Sequence, residues 1–186
     1  MSTLRIISGS AKGMRIRSVP GESTRPITDR VKESLFNIIG NDIVDSNFLD
    51  LFSGTGSVSI EALSRHAAYA RMLELHPLAI KTINSNLETT KLTSNVKVIK
   101  TDSLAYIKNK PDMSFDYIYI APPQYKLIWK ETLLILDNNI NWLHENGWVI
   151  VQIHPKEFLD LELNNLLLFD SRKYGSTLLA FYQMKA

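Results

Sequence analysis

The 186-residue chain has no cysteine, which excludes a disulfide framework and any thiolate metal site. It also lacks an apolar run of about 18 residues, so no segment reads as a membrane-spanning helix. The opening "MSTLRIISGSAKG" has no apolar core of the secretory-signal kind, and a cytoplasmic protein is expected. Four histidines (His66, His76, His144 and His154) are scattered, with no acids at ligand spacing, so no metal is expected. His154-Pro155 reads as loop structure. Ser53, Thr55 and Ser57 have no nearby His–Asp partner, which argues against a serine nucleophile. Trp129, Trp142 and Trp148 lie beside apolar runs and read as core. There is no internal repeat and no low-complexity tract.

Strong charge is missing too, since the formal net charge is only +2. Its distribution is uneven. Residues 1–40 hold seven Lys/Arg (Arg5, Lys12, Arg15, Arg17, Arg25, Arg30, Lys32) against three acids (Glu22, Asp29, Glu33). The rest of the chain is slightly acidic. A basic segment on an acidic body suits a nucleic-acid contact, and equally suits a solvated Arg-rich hairpin.

What is present is an alternation of strand and helix signals. "LRIISG" and "MRIRSV" flank the turn signal Gly9-Ser10-Ala11-Lys12-Gly13 and predict a β-hairpin. "PGESTRPIT" reads as a loop. Thr28 can cap the helix "DRVKESLFNIIG", whose apolar face is Val31, Leu35, Ile38 and Ile39. These forty residues are expected to form a small unit of their own, with residues 41–186 as the main domain. From residue 47 "NFLDLF", "YARMLEL", "VKVIK", "FDYIYI" and "GWVIVQI" read as buried strands. "SVSIEALSRHA", "PLAIKTINSNLETTKL", "SLAYIKN" and "KETLLILDNNINWL" read as the helices between them. This spacing predicts βαβ units and a parallel sheet covered on both faces. "LELNNLLLF" and "TLLAFYQM", with "DSRKYGS" as their turn, predict a closing antiparallel pair. Such a doubly wound sheet binds ligands outside the carboxyl ends of its strands.

Each strand end carries a candidate. "LDLFSGTGSVSIEALS" puts Asp50 at the first strand end and Gly54 and Gly56 in the turn, before a helix with free N–H groups. A dinucleotide fingerprint would need a third glycine where Ser59 stands. A carboxylate beside the turn repels a pyrophosphate but suits an ammonium, which points to a zwitterionic cofactor such as S-adenosylmethionine. Glu74 ends the second strand, where an acid can accept from ribose hydroxyls. Asp102 follows the third strand beside Ser103, and can receive an adenine amino group or cap a helix. The fourth strand ends in "APPQY" (Ala121, Pro122, Pro123, Gln124, Tyr125), where two prolines stiffen the chain.

These motifs resemble the RsmD family, bacterial 16S rRNA (guanine-N2)-methyltransferases. The matching pieces are "RIISGSAKGMRIRSVP", "TRPITDRVKESLFNII", "LDLFSGTGSVSIEALSRHA", "LEL", "TDSL" and "FDYIYIAPPQY", in the family's order. The resemblance implies a Rossmann-like class I S-adenosylmethionine-dependent methyltransferase. It implies a mostly parallel seven-stranded sheet, an antiparallel C-terminal hairpin and a small N-terminal hairpin and helix. Asp50, Phe52, Ser53, Gly54, Gly56, Glu74, Leu75, Asp102 and Ser103 would surround the cofactor. Lys12, Arg15, Arg17, Arg25, Thr28, Arg30 and Lys32 would meet RNA. The expected partner is small-subunit rRNA or an assembling 30S particle, with the protein a monomer away from membranes.

One position departs from the pattern. Ala121 stands where the common family form has Asp, and Gln124 differs as well. Without that carboxylate, the backbone carbonyls of Ala121 and Pro122 and the amide of Gln124 are left to hold the amine, with Tyr125 to stack on the base. The alternative is an inactive or altered-specificity RNA-binding protein that keeps the cofactor fold.

Overall fold

A computed structural model of the chain describes residues 4–21 and 27–186. The basic N-terminal segment forms a short antiparallel hairpin, β1 (Leu4–Arg5) and β2 (Arg15–Ile16), followed by α1 (Asp29–Ile39). The Thr28 hydroxyl accepts from the Val31 N–H at 3.4 Å and caps α1 as expected.

From residue 47 the alternation becomes β3 (Asn47–Asp50), α2 (Ser57–Ser64), β4 (Tyr69–Glu74), α3 (Pro77–Thr90), β5 (Val96–Lys100), α4 (Ser103–Ile107), β6 (Phe115–Ile120), α5 (Ile128–Asn138) and β7 (Leu143–Ile153). β8 (Leu166–Tyr174) and β9 (Thr177–Met184) end the sheet. The seven strands run in the order β5-β4-β3-β6-β7-β9-β8. The first five are parallel, β9 is antiparallel to β7, and β8 to β9. The order reverses between β3 and β6, which sets the ligand crevice at their carboxyl ends.

The sheet divides the core in two. Phe48, Met72, Tyr117, Tyr119 and Ile150 meet α1, α2, α3 and the hairpin on one face. Leu49, Leu73, Ile118, Val149 and Val151 meet α4 and α5 on the other. Trp129 and Trp142 are buried in that second layer, as their sequence context suggests. Every residue of α2 is buried, so this helix is sandwiched between the sheet and the N-terminal segment rather than exposing a polar face.

The N-terminal segment shares the core of the first layer, through Leu4, Ile6, Ala11, Ile16 and the apolar face of α1. Polar links fasten it as well. The fully buried Glu61 of α2 accepts from the backbone N–H of Ile7 (2.8 Å) and Ser8 (3.0 Å), and from Arg65 Nε (2.8 Å). Ser10 N–H donates to the Ser64 carbonyl at 2.8 Å, in the last turn of α2. Gly9 allows this approach: its φ is +86°, and a Cβ there would lie 1.7 Å from the Ser64 carbonyl oxygen. Gly9→Ala is therefore expected to destabilise the protein by about 1–3 kcal/mol, read as a shift in urea midpoint without a change in slope.

Several boundaries differ from the sequence reading: of "LELNNLLLF", residues 161–165 precede the strand, since β8 begins at Leu166. The last turn is only Gly175-Ser176, with Gly175 at φ +58°, and "DSRKY" belongs to β8. β8 is the sheet edge, with a register irregularity between Leu168 and Asp170, so its polar side chains can face water, and Arg172 pairs with Asp170 at 3.0 Å. β7 starts at Leu143 rather than at Gly147, with a register irregularity between Phe115 and Tyr117 of its partner. No helix among the described residues is long and apolar enough to cross a membrane.

Candidate active site

The carboxyl ends of β3, β4, β5, β6 and β7 open into one cavity of about 850 Å³. Asp50, Phe52, Ser53, Gly54, Glu74, Leu75, Asp102, Ser103 and all five residues from Ala121 to Tyr125 line it. The residues singled out at the strand ends thus converge on a single space. Gly56 is not in the lining. It begins α2 at φ +77°, packed against Ile60 and Ile83, and shapes the turn from beneath.

Asp50 is buried at the end of β3. Burial pushes its carboxyl up to about 7, against the opposing hydrogen bonds from Ser59 Oγ (2.9 Å) and Phe52 N–H (3.3 Å). Ser59, where a dinucleotide fingerprint would have glycine, is thus a donor to the key acid. A cavity-lining carboxyl with a raised affinity for its proton is a ready partner for a cationic group.

Glu74 has a double task. Its Oε2 accepts from Gly54 N–H at 2.9 Å, and its Oε1 from Leu75 N–H (2.8 Å) and His76 N–H (2.9 Å). It holds the glycine turn to the end of β4, and with three N–H groups bound it keeps one acceptor site, on Oε2, unused among the described residues. Asp102 caps α4 by accepting from Ala105 N–H at 2.8 Å, so the capping reading of this residue holds while it also lines the cavity. The Ser103 hydroxyl donates to the Leu51 carbonyl, tying the α4 start to the turn after β3.

The Ala121–Tyr125 segment turns sharply out of β6. Pro122 is buried, while Pro123, Gln124 and Tyr125 are exposed. Tyr125 (φ +62°) and Leu127 (φ +53°) both adopt the left-handed region, an uncommon state for bulky side chains. Tyr125, which lines the cavity, is 66% exposed.

Among the lining residues that the sequence reading missed are Tyr119 and Gln152. Burial raises the Tyr119 hydroxyl well above its ordinary value, so it stays neutral and donates to Gln152 Oε1. Gln152 lies at the carboxyl end of β7, where the strand-end rule could have found it; Tyr119 looked like one more apolar strand position. Asn86 of α3 was also missed. Its amide brackets Arg17, accepting from the N–H (2.8 Å) and donating to the carbonyl (3.0 Å), and it donates to the Thr55 carbonyl at 2.9 Å. It links the hairpin to the glycine turn.

The expected RNA-facing residues split. Lys12, Arg15, Arg17, Thr28 and Arg30 are exposed. Arg25 lies outside the described residues. Lys32 must be corrected, because only 1% of it is exposed. Its Nζ donates to the Arg5 carbonyl (2.6 Å) and Ser57 Oγ (2.9 Å) and lies 3.5 Å from Glu61. Its position on the helix wheel puts it under the hairpin, where its ammonium is held inside the protein and lies out of reach of a phosphate.

A second, more open hollow of about 520 Å³ lies beside Lys108, Lys110 and Asn139, away from the strand carboxyl ends. No group of acids and histidines suited to a metal occurs among the described residues.

The Conserved hypothetical protein 95 family matches residues 4–183. YlbH of Bacillus subtilis is 36% identical over 184 residues, covering 98% of this chain and all of that protein. Ribosomal RNA small subunit methyltransferase D of Escherichia coli K12 is 30% identical over 183 residues, covering 98% of this chain and 91% of that protein. The solved structure of yhhF from Escherichia coli superposes with a TM-score of 0.87 at 30% identity, covering 99% of both chains.

Proposed function

The chain belongs to the RsmD family, matched here as Conserved hypothetical protein 95, and on that premise we propose that it transfers a methyl group from S-adenosylmethionine to the N2 amine of a guanine in small-subunit rRNA. One observation carries the proposal: Asp50, Glu74, Asp102 and the Ala121–Tyr125 segment, from four different strand ends, line the same cavity. Relatives named as small-subunit rRNA methyltransferases supply the substrate class.

The residues present fit this cofactor. Asp50, buried and bonded only to neutral donors, can hold an ammonium. Glu74 keeps one acceptor site, on Oε2, for a ribose hydroxyl, and Asp102 keeps its second oxygen for an adenine amine. Bound there, S-adenosylmethionine supplies an electrophilic methyl group on sulfur. The chain's own groups prepare the acceptor. A guanine amine is a weak nucleophile because its lone pair is delocalised into the ring. The carbonyls of Ala121 and Pro122, fixed by the two prolines, accept its hydrogens and favour a pyramidal nitrogen. Gln124 offers a further acceptor, and Tyr125 a face for the base. The proton on the methylated nitrogen is acidic and passes to water, so no strong base is needed. Ala121 in place of a carboxylate moves this work to the backbone and Gln124.

Residues 1–40 serve as the RNA-contacting unit and 41–186 as the methyltransferase domain. Lys12, Arg15, Arg17 and Arg30, exposed on the hairpin and α1, meet phosphates of the rRNA or of an assembling 30S particle, with the protein acting as a monomer. Incubation with methyl-labelled cofactor and small-subunit particles lacking the modification tests the activity. Label is expected in the RNA, with particle affinity falling as salt rises. Cofactor binding without labelled RNA would instead favour a binding protein on the same fold.

A further inference from the structure

His154 and Glu157, residues outside the cavity lining, stand next to its most exposed ring. Glu157 is 93% buried, and its carboxylate joins two loops. Oε1 accepts from the Tyr125 N–H at 2.6 Å, in the loop after β6. Oε2 accepts from the His154 N–H at 3.3 Å, in the loop after β7. The His154 ring is fixed in turn, since its Nδ1 accepts from the Lys156 N–H at 3.1 Å. The result is a ring pair, Tyr125 and His154, with centroids 5.7 Å apart and planes at 40°.

The backbone shows why a clamp is needed. Tyr125 and Leu127 both have positive φ. Such conformations in bulky residues cost of order 1–3 kcal/mol each and persist only where the surroundings over-determine them. The buried Glu157 supplies the restraint at Tyr125, and what it holds in place is an exposed aromatic side chain that lines the cavity.

We propose that Glu157 is a positioning residue that fixes Tyr125 against His154, making a two-ring platform on which the substrate base stacks. This rests on the methyl-transfer reading for the identity of the base, but the platform itself is testable without turnover. Stacking on an aromatic face is worth on the order of tenfold to a hundredfold in affinity per base.

The test has two arms. In the first, guanosine monophosphate is titrated into the protein saturated with S-adenosylhomocysteine, and the His154 ring protons are followed by NMR. A ring-current shift is expected in the wild type, with loss of the shift in Tyr125→Ala. Its absence in the wild type at saturating nucleotide would overturn the platform. In the second, Tyr125→Ala, Glu157→Gln and the double variant are compared for binding small-subunit particles. If Glu157 acts through Tyr125, Glu157→Gln weakens binding in the wild-type background and adds nothing in the Tyr125→Ala background. Cofactor affinity and melting temperature should hold within about twofold and a few degrees. Additive losses would overturn the proposal, because they mean that Glu157 acts elsewhere. A nucleotide shift without any methyl transfer leaves the platform standing and removes only the activity.

Discussion

Replacing Glu61 with alanine is expected to destabilise the protein by about 3–5 kcal/mol, the cost of leaving a buried charge without its partner. Glu61 is fully buried and accepts from two backbone N–H groups and Arg65, with the Lys32 ammonium 3.5 Å away. Without it, Lys32 keeps only the Arg5 carbonyl and Ser57 hydroxyl, and the hairpin loses both N–H contacts to α2. Burial already lowers the Lys32 ammonium below its ordinary value, with Glu61 opposing that fall. The urea midpoint measures the loss. Lys32→Met makes a useful contrast. It keeps the stem volume and leaves Glu61 with its other three donors, so the loss should be smaller. It should also leave the salt dependence of RNA binding unchanged, whereas a phosphate-contacting lysine would reduce the slope by about one unit.

The second large effect is on cofactor binding. Asp50→Asn should weaken S-adenosylmethionine binding by about 2–5 kcal/mol, on the order of thirtyfold to several thousandfold, as truncation of a buried charge pair does. Calorimetry reads it directly. The same substitution should stabilise the unliganded protein near pH 8. Burial raises the folded carboxyl to about 7, well above the ordinary aspartate range. A raised value means that the folded state favours the protonated acid. Its stabilising contribution is therefore fully present below about pH 4 and is lost as pH rises through about 7. Above that, the wild type carries a buried anion and Asp50→Asn does not. Cofactor affinity shows the opposite trend. An ammonium needs the carboxylate, so binding below pH 7 releases a proton and strengthens by up to about tenfold per pH unit. In Asp50→Asn that slope should vanish.

Local signals made much of this legible. Strand–helix alternation and the apolar runs carried the parallel sheet, and Asp50, Glu74, Asp102 and Ala121 were found because each ends or follows a strand. Lys32 was misread because its sequence neighbours, Arg30 and Glu33, lie on the outer side of α1; only the docking of the hairpin buries it. Glu61, Asn86 and Glu157 were invisible for a related reason. Their partners Ile7, Arg17 and Tyr125 are 54, 69 and 32 residues away. The polar run "DSRKY" reads as a turn by composition, but on an edge strand it satisfies its backbone against β9 alone. The fastening of the N-terminal segment to the glycine turn after β3, through Lys32 with Ser57 and Asn86 with Thr55, follows from tertiary packing that no local motif encodes.

The most direct measurement is the identity of the product. Small-subunit particles from cells lacking the protein would be incubated with it and methyl-labelled S-adenosylmethionine, and the rRNA digested to nucleosides. Labelled N2-methylguanosine is the expected product, reduced in Gln124→Ala more than cofactor affinity is. Label in another nucleoside, or none while calorimetry shows the cofactor bound, would contradict the assignment of the Ala121–Tyr125 pocket to a guanine amine.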